Sequence, residues 1–262
     1  MKNIFFIMLF IIAFSRSASL AQDDMVKLLR SENYLSCGYI TNCDEIKDML
    51  IQIRNTQYNK QVFVHHSLSD GSWIDIPAHY ERAGNSDYEL WHADQYDFGF
   101  SRQYGRQFVL KYIVGGQTYW DNNNGANYTL LPPSRGDGPG AMLGSFINVL
   151  LKDASLYRAA DSNYYLTAYI DLRNIAYAKN VILTYTTNNW LTSTTLNAYY
   201  IGQAQTGYES FIRWPNAYNI ERWGVSARVD SGAPLMFYIT YNVNGTTYYD
   251  NNYGSNYVVC LN

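Results

Sequence analysis

Apolar and polar residues alternate along most of this chain with the period of two that a half-buried β-strand requires. Leu50-Ile51-Gln52-Ile53 sets the pattern, and Val62-Phe63-Val64, Phe98-Gly99-Phe100 and Phe108-Val109-Leu110-Lys111-Tyr112 continue it. In the second half the alternation runs from Tyr165 to Leu172, Val181 to Tyr185, Trp223 to Val229 and Met236 to Val243. Gly115-Gly116 predicts a hairpin turn, and Asn244-Gly245, which tolerates the positive φ of a type I′ turn, predicts another. Two stretches read instead as short helices: 23–32, with Met25, Leu28 and Leu29 on one face, and the apolar 142–151. The expected fold is all-β, two immunoglobulin-like antiparallel β-sandwich domains in tandem, each of about seven or eight short strands.

The tandem arrangement rests on an internal repeat. Asn55-Thr56-Gln57-Tyr58-Asn59-Lys60-Gln61-Val62 matches Asn174-Ile175-Ala176-Tyr177-Ala178-Lys179-Asn180-Val181. Each is followed by a strand and a tryptophan, Trp73 or Trp190, and then by a tyrosine, Tyr80 in one copy and Tyr199 or Tyr200 in the other. Each copy closes on an aromatic pair, a block of Asp and Asn, a glycine and Asn-Tyr: Tyr119-Trp120-Asp121-Asn122-Asn123-Asn124-Gly125-Ala126-Asn127-Tyr128 and Tyr248-Tyr249-Asp250-Asn251-Asn252-Tyr253-Gly254-Ser255-Asn256-Tyr257. The expected organisation is a signal peptide over 1–21, an N-terminal segment over 22–48, a first unit over 49–132, a linker with a short helix over 133–162 and a second unit over 163–262.

Lys2 followed by the apolar run Ile4 to Phe14 and then Ser19-Leu20-Ala21 has the layout of a secretory signal, too short to anchor in a bilayer. An exported chain lacking Lys2 and Arg16 keeps 17 of its 19 basic residues against 22 acidic ones, a net charge of −5. That charge disfavours nucleic acid as a partner, and nothing in the mature form calls for a membrane. Cys37, Cys43 and Cys260 leave the disulfide pairing open. Neither their spacing nor that of the four histidines fits a zinc pattern, so no metal or cofactor is expected. The acidic residues are scattered, with Glu89, Asp94 and Asp97 the only cluster, and no nucleophile elbow or phosphate loop is present, which argues against an enzyme.

The repeated mixture of aromatic rings and amides suits sugars, which offer an apolar face for stacking and a rim of hydroxyls for groups that both donate and accept. The same block is also ordinary turn chemistry, since Asn and Asp cap their own backbone. Taken in order, Asn-x-x-Tyr-x-Lys-x-Val, Asn-Trp and Tyr-Tyr-Asp-Asn-Asn-x-x-x-Asn-Tyr resemble the family-21 carbohydrate-binding modules, the starch-binding domains of fungal glucoamylases and of glycogen-targeting phosphatase subunits. The resemblance implies a β-sandwich with two glucan sites. It places the main stacking site of the second unit on Trp190, Tyr238 and Tyr249, and gives Trp73 and Trp120 two of those places in the first unit. The third place falls on Val109, which cannot stack. A second site would rest on Tyr177 and Tyr58, with a further aromatic near 218–220. Polar contacts would come from Lys179, Asn174, Asn251 and Asn256, and from Lys60, Asn55, Asn122 and Asn127. The reading is a secreted, non-catalytic binder of starch, glycogen or a related α-glucan, with a separate amylolytic enzyme as a further candidate partner. The alternative is an extracellular lectin or adhesin that uses the same fold for another glycan or a protein.

Overall fold

The computed structural model describes residues 25–37, 43–97, 104–132, 140–206, 210–230 and 232–261, and every regular element among them is a β-strand. The signal segment, the strand expected at Phe98-Gly99-Phe100 and most of the Gly/Pro-rich stretch lie outside the described residues. In the first half, β1 (Val26–Cys37), β2 (Cys43–Arg54), β6 (Tyr88–Asp97) and β5 (His79–Ala83) form one sheet. The opposing sheet runs β4 (Trp73–Pro77), β3 (Lys60–Leu68), β7 (Tyr104–Val114) and β8 (Gln117–Asp121), with β9 (Tyr128–Thr129) beside β7. A further strand, β10 (Gly140–Leu143), adds to the outer edge of β1.

The second half repeats this strand for strand. One sheet holds β11 (Val149–Arg158), β12 (Tyr164–Arg173), β18 (Ile220–Val229) and β15 (Tyr199–Ile201). The other holds β14 (Thr194–Asn197), β13 (Lys179–Thr186), β19 (Leu235–Val243) and β20 (Thr246–Asp250), with β21 (Tyr257–Val259) beside β19. The hairpin of β16 (Gln203–Thr206) and β17 (Ser210–Arg213) is inserted before β18. The alternation does what it predicts: Val62, Val64, Phe108, Leu110 and Tyr112 fill one core, and Val181, Leu183, Phe237, Ile239 and Tyr241 fill the other. Tyr112 and Tyr241 each send their hydroxyl to the carbonyl of Arg54 or Arg173, at 2.8 and 2.9 Å.

Both expected helices are strands. Residues 26–37 form β1 and residues 43–54 form β2, so the stretch read as a separate N-terminal segment supplies two strands to the first sandwich. The helical spacing of Leu28 and Leu29 arises from a bulge between Leu28 and Arg30, which lets two consecutive leucines both be buried. The apolar stretch 142–151 spans β10 and the start of β11. Every residue of β10 is buried, which removes the alternation and leaves a continuous apolar run. At the end of the first hairpin Cys37 lies opposite Cys43 in the ladder, and Cys260 is an exposed free thiol. No helix among the described residues is long and apolar enough to cross a membrane.

The two sandwiches share a buried seam. Leu29 and Leu90 of the first meet Leu150, Ile212, Trp214 and Ile220 of the second around Ala141 and Leu143 of β10. Glu32 sits in this seam, 3.3 Å from Arg222 and 2.8 Å from Lys152, and Arg222 also binds Asp171 at 2.7 and 3.0 Å. Burial alone would raise the Glu32 carboxyl, but the charges of Arg222 and Lys152 outweigh it and hold the group down at about 2. At the other end of the seam the Tyr253 ring stacks on Tyr88 at 5.7 Å and its hydroxyl donates to Gln52 Oε1 at 2.6 Å. Gly84 admits that ring; a Cβ there would lie 2.8 Å from its carbons.

The depressed Glu32 carboxyl stabilises the fold fully above its unfolded value of 4.5, and that contribution is lost as pH falls toward 2. Acid unfolding of the wild type should therefore show a loss over this window that Glu32→Gln flattens. At neutral pH, Glu32→Ala should lower the unfolding free energy by on the order of 3 kcal/mol in urea titrations. Equal acid profiles for wild type and Glu32→Gln would show that the seam does not depend on this charge.

Candidate functional site

On the outer face of the second sandwich, Trp190, Tyr238 and Tyr249 form an aromatic platform. Along β19 the side chains alternate, so that Phe237, Ile239 and Tyr241 enter the core while Tyr238 and Thr240 face outward. Tyr249 on β20 pairs across from Thr240, which places it diagonally beside Tyr238 on the same face, 64% exposed. Trp190 comes from the loop between β13 and β14, its ring 5.4 Å from Tyr238 and tilted by 38°. Its backbone takes φ 66, after Asn189 at φ 53, a left-handed pair that ordinary residues adopt only when their surroundings hold them there. The hold is visible: Thr186 Oγ1 accepts the N–H of Trp190 at 3.1 Å, and Asn188 bridges to both the N–H and the hydroxyl of Thr192, at 3.0 and 2.9 Å.

The matching face of the first sandwich is built from different parts. Trp73 opens β4 and Trp120 lies on β8, the positions the repeat predicts. Val109 is buried, as its side chain requires, but its cross-strand partner is His65, whose ring fills the missing place. His65 stacks on Trp73 at 5.1 Å with an 18° tilt and meets Trp120 edge-on at 5.5 Å. Asp75 ties the cluster together, with one oxygen 2.7 Å from His65 Nδ1 and the other 2.6 Å from Lys111 Nζ. Partial burial would raise the Asp75 carboxyl, but the hydrogen bonds from Lys111 and His65 prevail and hold it below its ordinary value. The Lys111 ammonium also lies 5.6 Å over the Trp120 ring. The sequence signal for His65 was parity: with Val62 and Val64 inward, Phe63 and His65 must face out.

Tyr58 and Tyr177 stand almost wholly in solvent, 97% and 101% exposed, on the loops after β2 and β12. The aromatic expected near 218–220 does not join Tyr177. Tyr218 is part of the seam, where its hydroxyl accepts the N–H of Leu131 at 2.7 Å and lies 3.3 Å from Asn33. Burial pushes that hydroxyl up to about 12.

The polar residues expected at the sites are engaged inside the protein. Lys60 is sandwiched between Asn55 at 2.5 Å and Glu89 at 2.8 Å, and Lys179 between Asn174 at 2.6 Å and Glu221 at 2.7 Å. The same glutamates accept the indole N–H of Trp91 and Trp223. Side-chain exposures of 6% for Lys60 and 2% for Lys179 mark these ammonium groups as pins for the loops that carry Tyr58 and Tyr177. Asn122 and Asn251 turn their side-chain oxygens to the N–H of Gly125 and Gly254, and the N–H of Asn127 and Asn256 returns to the carbonyls of Asn122 and Asn251. The Asp-Asn-Asn block therefore makes turn bonds, as its composition allowed, and these bonds fix the end of the strand that carries Trp120 or Tyr249.

Tyr249, Asn251 and Asn256 also border a cleft of about 1010 Å³ between the sandwiches, whose opposite wall carries Asp48, His79 and His92.

Comparison with known proteins gives this arrangement a family. The model of the carbohydrate/starch-binding module, family 21, matches residues 30–131 and 147–260. Glucoamylase 1 of Rhizopus oryzae is 36% identical over 83 residues, which is 30% of this chain and 13% of that enzyme. The solved structure of the starch-binding domain of Rhizopus oryzae glucoamylase, in complex with beta-cyclodextrin and maltoheptaose, is 26% identical and covers 44% of this chain and 100% of its own, at a TM-score of 0.32. The carbohydrate-binding module of the muscle glycogen-targeting subunit of Protein Phosphatase-1 is 21% identical and covers 44% of this chain and 76% of its own, also at 0.32. With the family model matched once in each sandwich, the chain belongs to the family-21 carbohydrate/starch-binding modules and carries that module twice.

Proposed function

We propose that this chain is a secreted, non-catalytic α-glucan-binding protein that uses its two modules together on starch, glycogen or a related polymer. The observation that carries the reading is the Trp190, Tyr238 and Tyr249 platform: three rings face outward on rigid strands and a braced loop, with no core reason to be there. Each ring stacked on a sugar face contributes about 0.5–1.5 kcal/mol beyond area burial, so one platform gives roughly millimolar to micromolar affinity. Two modules held in a fixed relation raise retention on a polymer by about 10²–10⁴ when both reach it. The buried carboxylates Glu32, Glu45, Asp171 and Glu221 are each paired with Lys or Arg, which supports a structural use of acids rather than a glycosidase pair. Export follows from the leader at 1–21, and the exported protein should begin at Gln22 on N-terminal sequencing; a start at Met1 would remove this part of the reading.

The purified protein should be retained on insoluble starch, released by soluble cyclodextrin and not retained on cellulose. Trp190→Ala and Tyr249→Ala should each weaken retention by about tenfold without lowering the melting temperature, because both side chains lie on the surface. Unchanged retention, or early melting of both variants, would show that these rings are not a ligand platform. Retention on neither polymer would turn attention to another glycan.

The first module is tested against the same background. In a Trp190→Ala protein, His65→Ala should remove most of the remaining retention, by about tenfold. Retention that survives His65→Ala but falls on Trp73→Ala would mean the two tryptophans act without the imidazole between them.

A further inference from the structure

His79 and His92 stand thirteen positions apart in the chain but are cross-strand partners on β5 and β6, on the outer face of the first sandwich. Their imidazoles meet edge to face with centroids 5.3 Å apart. Asp94, two residues beyond His92 and so on the same face, lies directly opposite Asp48 on β2. His92 Nε2 is 2.6 Å from Asp48 Oδ1 and 3.4 Å from Asp94 Oδ1. His79, His92 and Asp94 each bring a ligand atom to within 4.8 Å of the others. We infer that His79, His92, Asp94 and Asp48 form a binding site for a divalent cation of the Zn2+ class at the wall of the inter-module cleft.

Three features of the arrangement point the same way. Two carboxylates directly opposed across a strand pair repel each other, and a doubly charged ion placed between them removes that repulsion. Two imidazole nitrogens with two carboxylate oxygens form a borderline donor set of the kind that binds Zn2+, whereas Ca2+ and Mg2+ take oxygen ligands. The donors also come from three strands locked by ladder hydrogen bonds, so the backbone positions of the site are set in advance rather than assembled from loops. Zn2+ bonds of about 2.0–2.2 Å place neighbouring donors roughly 3.3 Å apart. The Asp94 contact already has that spacing; Asp48, now 2.6 Å from His92 Nε2, would withdraw by less than about 1 Å to admit the ion. Of the cations lining the cleft, Arg82 is bonded to Asn252 at 2.9 Å and Lys152 to Glu32 at 2.8 Å, while Arg30, two strands from His92, directs its charge at Glu32. Chain spacing alone concealed the site, because only the β5–β6 register brings the two histidines together.

The site does not depend on glucan binding, and the two readings separate in experiment. The full chain, freed of metal with a chelator, would be titrated with Zn2+ by calorimetry and with Co2+ by visible absorption. One Zn2+ per chain is expected, with the ligand-field bands of a four-coordinate N/O site for Co2+. His79→Ala and His92→Ala should each weaken Zn2+ binding by about tenfold or more and abolish the Co2+ bands, while starch retention stays at the wild-type level. Cys260→Ser should leave Zn2+ binding unchanged, since Cys260 is the exposed thiol that could capture zinc adventitiously. No binding, binding indifferent to both histidine variants, or binding lost in Cys260→Ser would each overturn the assignment.

Discussion

In each module one carboxylate joins the two sheets, and the placement of the stacking ring follows from it. Asp121, at the end of β8, accepts the N–H of Leu28 from the opposite sheet at 2.7 Å and the hydroxyl of Tyr128 at 2.8 Å. Asp250 makes the same pair of bonds to Leu151 N–H at 2.6 Å and Tyr257 at 2.7 Å. Both receiving strands are bulged just after the bonded residue, between Leu28 and Arg30 and between Leu151 and Asp153. Burial raises the Asp250 carboxyl, and it also raises the Tyr257 hydroxyl that donates to it. Because successive strand residues point to opposite faces, an inward aspartate forces Trp120 or Tyr249, the residue before it, outward. The turn amides then hold the chain end in place, so a buried polar bond and an exposed ring are two consequences of one geometry.

The same hairpin also explains why two copies of one module are not interchangeable. In the second copy the residue after the paired asparagines is Tyr253, which enters the seam and packs on Tyr88; the first copy has exposed Asn124 at that place. Around this contact the seam adds β10, the Glu32–Arg222–Asp171 network and the Trp214 ring, over which the Arg222 guanidinium sits at 4.7 Å. A buried ion network contributes little net stability against a well-packed apolar seam, but breaking one of its members leaves an uncompensated charge. In the structure it joins the modules with the edge of the Tyr249 platform beside the cleft.

How much of this is legible in the sequence depends on whether a residue's surroundings are local. The strands of both cores follow from alternation, and the outward faces of β19 and β20 follow from the same parity. The apolar stretches at 23–32 and 142–151 mislead because a bulge and a doubly buried strand both erase the period of two. The intramolecular partners of Lys60 and Lys179 are not legible either, because the glutamates they bind lie 29 and 42 positions away. His65 escapes because the pattern directs attention to Val109 in its own strand, while the replacement ring sits across the ladder.

The two platforms therefore differ in how they would meet a sugar. That of the second module is neutral and fixed before any ligand arrives, since Trp190 is held by backbone hydrogen bonds in a conformation it would not otherwise choose. Such preorganisation removes part of the ordering cost of binding. The first module's platform carries an imidazole and an ammonium anchored on one aspartate, so its rings are positioned by charge-assisted bonds exposed to solvent. Those bonds weaken with salt, whereas the backbone brace of Trp190 does not. The geometry of the second platform is thus insensitive to ionic conditions, whereas that of the first varies with them.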